Sequence, residues 1–378
     1  MKKLISLSKD STIKVNSKIF DYLFPEFVYL KVEENTHFMV TKKKIAKGEK
    51  LFSYQGKVIC SPVSGTIKNV VSLQGQYYLK ILNDFEENDS YAGVLEFTTK
   101  ALKLDFKSNL EETCMEVAKR LKKKKKLVFN GIEDEPYIAN KMFLHKEYTS
   151  EILSTLDILA ESYHIQDIDL YFKENDRESI EAFSREIGSY PNMEIHILPD
   201  VYPIGKEDVF GSYLHLDDSS CVLVSEEVME IYEQVIKRRV EDSMLVTLTG
   251  DAIHNPMVVR VKIGTPLKEV VTELLRIKKG KYEVFANGLM NGTKISVDDF
   301  ILDKDSRAIY FMKEKNIEEQ DCIACGKCIE VCPVKCNPYR SYLTRGKYEN
   351  KNCLHCGLCT FICPSYIHLE NYLRRRES

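Results

Sequence analysis

The stretch DCIACGKCIEVCP at residues 321–333 is answered by NCLHCGLCTFICP at residues 352–364. Each carries the spacing CxxCxxCxxxCP. The first run is Cys322, Cys325, Cys328 and Cys332 before Pro333; the second is Cys353, Cys356, Cys359 and Cys363 before Pro364. Nine of the twelve cysteines fall between Cys322 and Cys363. A small exported domain spreads its cysteines through a short chain to staple it. Two dense runs at one end of 378 residues are instead the layout of thiolate metal ligands. Zinc takes four ligands per site but gives no reason for the spacing CxxCxxCxxxCP repeated twice.

The spacing is that of bacterial two-cluster ferredoxins, in which the fourth cysteine of each run reaches the other cluster. Three thiolates two residues apart, on a loop wrapped around a cube, meet three of its irons. On this pattern Cys322, Cys325, Cys328 and Cys363 hold one [4Fe–4S] cluster. Cys353, Cys356, Cys359 and Cys332 hold the second. Gly326 and Gly357 let backbone N–H groups approach the sulfurs. Cys336 has no place in the pattern and is read as a small buried residue, with a redox or partner-contact thiol as the alternative. Cys60, Cys114 and Cys221 sit in apolar contexts and read as core packing.

Upstream, residues 1–95 alternate short β-forming runs (Phe27–Val32, Lys57–Cys60, Thr66–Val71, Tyr77–Ile81) with Gly48, Gly56, Gly65 and Gly75, which predicts a small barrel or sandwich. GKVICSPVSGTIKNV has the look of a lipoyl-like barrel-sandwich hybrid. Its turn, Ser64–Gly65–Thr66, offers no lysine for lipoyl or biotin. Residues 96–240 alternate helix and strand, which predicts a Rossmann-like parallel sheet covered on both faces. Ser108 and Glu111 suggest a capping box for a helix running into the lysine run 122–126. Strands are expected at Leu127–Asn130, Ile168–Phe172, Glu194–Leu198 and Cys221–Val224. Residues 241–314 have the order hairpin, helix, strands, which suggests a β-grasp. Residues 315–378 form the helical two-cluster ferredoxin region, with a helical tail expected after Cys363. The expected fold is thus multidomain α/β plus β.

Four segments in this order resemble the RnfC family: GKVICSPVSGTI, NGIEDEPY at Asn130–Tyr137, LPDVYPIGKE at Leu198–Glu207, and VTLTGDAIHNP with GTPLKEV. The resemblance covers nearly the whole chain and ends on the dicluster motif. It implies a peripheral subunit of a membrane ion-translocating ferredoxin:NAD oxidoreductase. It implies a central domain similar to the NADH- and FMN-binding subunit of respiratory complex I, and a soluble-ligand-binding (SLBB) β-grasp. A shorter relative, the PrdC type, serves proline reductase as an electron carrier. By resemblance, Asn130, Glu133, Glu135 and Tyr137 belong to the FMN/NADH loop, with Asp134 where cysteine is common. One departure stands out. The family's GxGGAGFPT segment lets backbone N–H groups cradle phosphates, yet no glycine lies between Gly93 and Gly131 here.

Two readings follow. In the first, the chain is an iron–sulfur electron-transfer protein serving a flavoprotein, a reductase or a membrane oxidoreductase complex. In the second it is an FMN-containing, NADH-oxidising subunit. The missing glycine segment argues against FMN and NADH. No catalytic residue is needed by the first reading, and whether the chain oxidises NADH itself stays open. A net charge of −3 argues against nucleic acid as a partner. No apolar run approaches the ~18–20 residues of a spanning helix, and MKKLISLSKDST lacks the apolar core of an export signal. The expected location is the cytoplasm, free or docked at the cytoplasmic face of the membrane.

Overall fold

The computed structural model describes residues 18–86, 112–237, 239, 241–290, 292–314 and 318–373. The suggested cap at Ser108 and Glu111 lies outside them.

Strands Phe27–Val32, Gln76–Asn83, Gly65–Leu73 and Lys44–Ile45 pair in that order as an antiparallel sheet. A hairpin of Lys50–Tyr54 and Lys57–Cys60 faces it. Alternate residues Val28, Leu30 and Val32 point inward onto Leu51, Phe52, Leu79 and Ile81, so one small core serves both sheets.

Next comes a four-stranded parallel sheet in the order Met193–Leu198, Asp167–Lys173, Lys126–Asn130, Ser220–Val224. Its strands read as apolar runs because both faces are covered. Leu127, Phe129, Leu170, Phe172 and Leu223 face the helices Glu112–Leu121, Asn140–Tyr163, Arg177–Glu186 and Ser225–Ile231. Val128 and Tyr171 face the other way, onto Leu198 and onto Ile204 and Phe210 of the segment that follows Met193–Leu198. The two coverings are therefore unequal. The lysine run does not extend a helix: the helix stops at Leu121, and Lys126 opens the strand, paired to Asp169 at 2.5 Å.

The third sheet has six strands in the order Ile19–Tyr22, Met257–Lys262, Ser243–Thr249, Ala308–Lys313, Tyr282–Ala286, Thr293–Ile295. Helix Leu267–Leu274 buries Leu267 and Val270 against it. Ile19–Tyr22 lies parallel to Met257–Lys262, so this N-terminal strand belongs to the third sheet and not to the β-unit that follows it in sequence.

Around the cysteines the chain is mostly loop, with short helices Lys327–Glu330, Pro338–Leu343 and Leu358–Phe361. After Cys363 the described residues hold only a 3₁₀ turn, Leu369–Tyr372, in place of the expected helical tail.

Candidate functional site

The central strand Lys126–Asn130 has Asp167–Lys173 on one side and Ser220–Val224 on the other. Crossovers leave it in both directions, so its carboxyl end opens at a topological switch point, where α/β folds gather their sites. Asn130–Tyr137 leaves the sheet there. Asn130 is fully buried and works as a clip. Its Nδ2 donates to the Gly205 carbonyl at 3.1 Å, and its Oδ1 accepts from the Ile132 N–H at 3.1 Å. This seats the LPDVYPIG segment on the acidic loop. The contact requires glycine at 205, since a Cβ there would stand 2.2 Å from the Glu133 carbonyl oxygen.

Each acidic side chain of the loop meets a cationic residue's group. Glu133 Oε1 accepts from the Lys141 backbone N–H at 2.6 Å, and the Lys141 ammonium caps the Ile132 carbonyl at 2.9 Å. Burial pushes the Glu133 carboxyl up to about 7, against the pull of Lys141. Asp134 pairs with Arg307 at 2.6 Å. Burial would raise its carboxyl, but the guanidinium outweighs that and holds it below the usual range. Glu135 is buried. Its Oε1 accepts from Lys206 at 2.8 Å and lies 3.1 Å from the Tyr202 hydroxyl; burial raises its carboxyl. Tyr137 packs beside Ile138, Ala308 and Tyr310. The Tyr310 hydroxyl donates to the Pro136 carbonyl at 2.7 Å. Ala139 and Asn140 are hydrogen-bonded to Thr247, and Asn140 to the Arg307 carbonyl. The structure brings together all four expected loop residues, as the joint between the parallel sheet and the six-stranded sheet.

The cysteines line two small cavities. Cys322, Cys325, Cys328 and Cys363 line the first, with Ile367 and Leu369. Cys332, Cys353, Cys356 and Cys359 line the second, with Leu358 and Leu373. Each cavity thus gathers one of the expected quartets, including the fourth cysteine from the opposite run. Thiols on mostly apolar walls suit an iron–sulfur cube, which takes cysteine thiolates and is tuned by burial and hydrogen bonds to sulfur. Among the described residues no three His, Cys, Asp or Glu side chains converge on a position for one metal ion.

The cavities differ in setting. Gly326 and Gly357 occupy matching left-handed positions, φ +74° and +75°, each opening a short helix. A Cβ on Gly326 would meet nothing within 4 Å, whereas one on Gly357 would stand 2.2 Å from the Met290 carbonyl oxygen. The second cavity is therefore pressed against the rest of the molecule. Tyr202 completes that contact: its ring packs with Met290, Val331 and Leu358, and its hydroxyl donates to the Cys356 carbonyl at 2.7 Å. The first cavity faces outward, with Cys325 exposed and Ile323 68% exposed.

Other residues fall elsewhere. Cys114 and Cys221 are in the core as expected of packing residues, while Cys60 is half-buried on a cleft beside Tyr29, Tyr54 and Lys141. His145 is fully buried between Ser179 (2.8 Å) and Ser225 (2.7 Å). Asp200 is tied to Lys173 and Asn175, away from the cysteines. Lys141, Lys206 and Arg307 are not singled out by the sequence: Lys206 stands in the LPDVYPIGKE segment without an assigned partner, and Lys206 and Arg307 reach the loop from distant parts of the chain.

Family models match in two places: the Nuo51 FMN-binding domain over residues 112–215, and the 4Fe-4S dicluster domain over residues 314–364. The RnfC-type component of the Na(+)-translocating ferredoxin:NAD(+) oxidoreductase complex of Acetobacterium woodii is 27% identical over 225 residues, 56% of this chain and 51% of that protein. Its counterpart in the ion-translocating oxidoreductase complex of Pectobacterium atrosepticum is 29% identical over 243 residues, 58% of this chain and 34% of that protein. The match thus spans a third to a half of the length of these relatives. An NAD+-reducing [NiFe]-hydrogenase crystal structure aligns at a TM-score of 0.47 and 13% identity, over 70% of this chain and 59% of that one. Over somewhat more than half of its length the chain is thus similar to RnfC proteins, and its match to the 4Fe-4S dicluster domain follows its match to the Nuo51 FMN-binding domain.

Proposed function

We propose that this protein is an iron–sulfur electron-transfer subunit whose inner cysteine site is seated on the Asn130–Tyr137 loop and whose outer site meets a partner protein at the exposed first cavity. The observation that carries this reading is the asymmetry of the cavities. Tyr202 ties the second to the acidic loop, Gly357 packs it on Met290, and Ile323 and Cys325 present the first to solvent. The cysteine quartets Cys322, Cys325, Cys328, Cys363 and Cys353, Cys356, Cys359, Cys332 would hold [4Fe–4S] clusters, which supply one-electron carriage when bound. This chain's residues set the order of the two sites, exclude water from the inner one and leave the outer one accessible. The partner is a flavoprotein, a reductase or the remainder of an ion-translocating oxidoreductase complex, and the location is the cytoplasm or the cytoplasmic face of its membrane. The relatives' names support that choice. Among the described residues no helix is long and apolar enough to cross a membrane.

The domain reading accompanies this. The two facing sheets around one core support a lipoyl-like barrel-sandwich within 1–95. The parallel sheet supports an FMN/NADH-type α/β domain over 96–240. The mixed sheet with one helix supports an SLBB β-grasp over 241–314, completed by Ile19–Tyr22. The ferredoxin-like region is 315–378.

A second reading, NADH oxidation through FMN, is favoured by the Nuo51 FMN-binding match and by the cleft lined by Tyr29, Tyr54, Lys141 and Arg307. An anaerobic census of iron, sulfide and acid-released FMN, followed by NADH titration, separates the two. About eight irons without flavin, and no bleaching by NADH, support the pure carrier. About eight irons with one FMN, and reduction by NADH, support the oxidising subunit. A chain that takes up no iron refutes both.

A further inference from the structure

Five cysteines, not four, line the second cavity: Cys336 joins Cys332, Cys353, Cys356 and Cys359. It is 6% exposed, and its thiol lies within hydrogen-bonding reach of the Cys332 and Cys353 side chains. Its backbone N–H donates to Cys332 Sγ at 3.2 Å. The two halves of the dicluster region show what is unusual about it. Four residues after Cys363 stands Ile367, fully buried and lining the first cavity; four residues after Cys332 stands Cys336. The chain turns back in the same way in both halves, through left-handed Tyr366 (φ +55°) and Lys335 (φ +56°). The repeat therefore puts a thiol where its twin has an inert isoleucine. Helix Pro338–Leu343 pins that thiol: Asn337 caps it by accepting from the Arg340 N–H, and the Asn337 N–H is held by Asn350 at 2.7 Å.

We propose that Cys336 is a reserve ligand for the second cluster, able to replace Cys332. In the exchange, the Cys336 sulfur binds the iron as its S–H proton leaves. The departing Cys332 thiolate takes up that proton, so charge and electron count are unchanged. Such a ligand would preserve the inner site when Cys332 does not bind, the Cys336 proton then passing to solvent, because a [4Fe–4S] cube needs four thiolates and the cavity holds five.

This rests on the reading of the two quartets as cluster ligands, and the test keeps the two apart. Iron and sulfide are counted, and electron paramagnetic resonance spectra of the reduced protein recorded, for the full-length chain and for Cys336→Ala, Cys332→Ala and the double variant. Were Cys332→Ala insoluble, Cys332→Ser serves in its place, alone and with Cys336→Ala. The expected result is about eight irons in the unaltered protein and both single variants, and about four in the double variant. The first cluster remaining in the double variant reports that the region is folded. The inference is overturned if Cys332→Ala falls to about four irons, if the double variant keeps about eight, or if Cys336→Ala alone loses a cluster. An unaltered protein without iron overturns the cluster reading itself.

Discussion

Replacing Tyr202 by Phe tests the joint between the inner cavity and the acidic loop. The ring stays, with its packing on Met290, Val331 and Leu358, so the change removes only the hydroxyl. That hydroxyl donates to the Cys356 carbonyl at 2.7 Å and lies 3.1 Å from Glu135 Oε1, and Tyr202 is 3% exposed. Water cannot readily replace it, and Glu135 keeps only Lys206 on that oxygen. Leaving a buried acceptor without its donor costs about 1–3 kcal/mol, or roughly 5- to 150-fold in the equilibrium between docked and locally opened states. The assay is hydrogen–deuterium exchange on the anaerobic holoprotein, read at the Phe361 and Ile362 amides, which close the helix behind Gly357. Tyr366→Phe, on an exposed side chain next in sequence to residues lining the outer cavity, is the control. Exchange should quicken by the stated factor in Tyr202→Phe alone. The resonance of the inner cluster should shift while that of the outer one stays. Equal exchange in both variants, with unshifted resonances, would refute the claim that this hydroxyl holds the joint.

The two matched glycines give an internal comparison. Gly326→Ala should cost about 1–2 kcal/mol from its left-handed backbone alone, while Gly357→Ala adds the collision with Met290 and should lower the melting temperature distinctly further. Gly205→Ala should also destabilise, by about 1–3 kcal/mol, since its Cβ meets the Glu133 backbone; equal melting temperatures would contradict the fit. Cys325→Ser should reduce iron from about eight to about four per chain and slow transfer to the native partner. Burial, aided by the Lys141 charge, pushes His145 down from 6.5 to about 3. The folded protein refuses a proton that the unfolded chain accepts below pH 6.5, so stability falls as pH falls. From pH 7.5 to 5.5 the loss is about 1.4 kcal/mol. Glu133, raised to about 7, works with the opposite sign. The difference in denaturant stability between the natural chain and His145→Gln isolates the histidine contribution, and a difference independent of pH would count against it.

Much of the inner architecture was legible because it is local. Cysteine spacing is a one-dimensional signal, and both quartets follow from it. The runs around Leu127–Asn130 and Ile168–Phe172 read as strands because buried parallel strands are apolar on both faces. The acidic loop could be located but not understood. Lys206 and Arg307, which neutralise it, are 71 and 173 residues away from their partners, and the neighbourhood of neither says which carboxylate it meets. The lysine run misleads for the same reason: helix propensity carries through 122–126, but the hydrogen bonds of the sheet claim Lys126 for a strand. Cys336 reads as filler until its twin position, Ile367, is compared in space.

The strand Ile19–Tyr22 has a consequence for how the chain is made. Asp21 meets Arg260 across 239 residues of sequence, so the strand leaves the ribosome long before the edge it completes. At ordinary elongation rates the interval is roughly 10–50 s. Through that time four residues with open hydrogen-bonding groups wait without a partner. Their shortness and the charge of Asp21 are the usual safeguards against pairing with another chain. The converse hazard falls on the receiving edge: a fragment beginning at residue 241 would expose Met257–Lys262, whose alternate residues are apolar and fully buried in the whole chain. Such a fragment should self-associate, and supplying residues 18–22 in trans, or fused to its end, should restore a monomer.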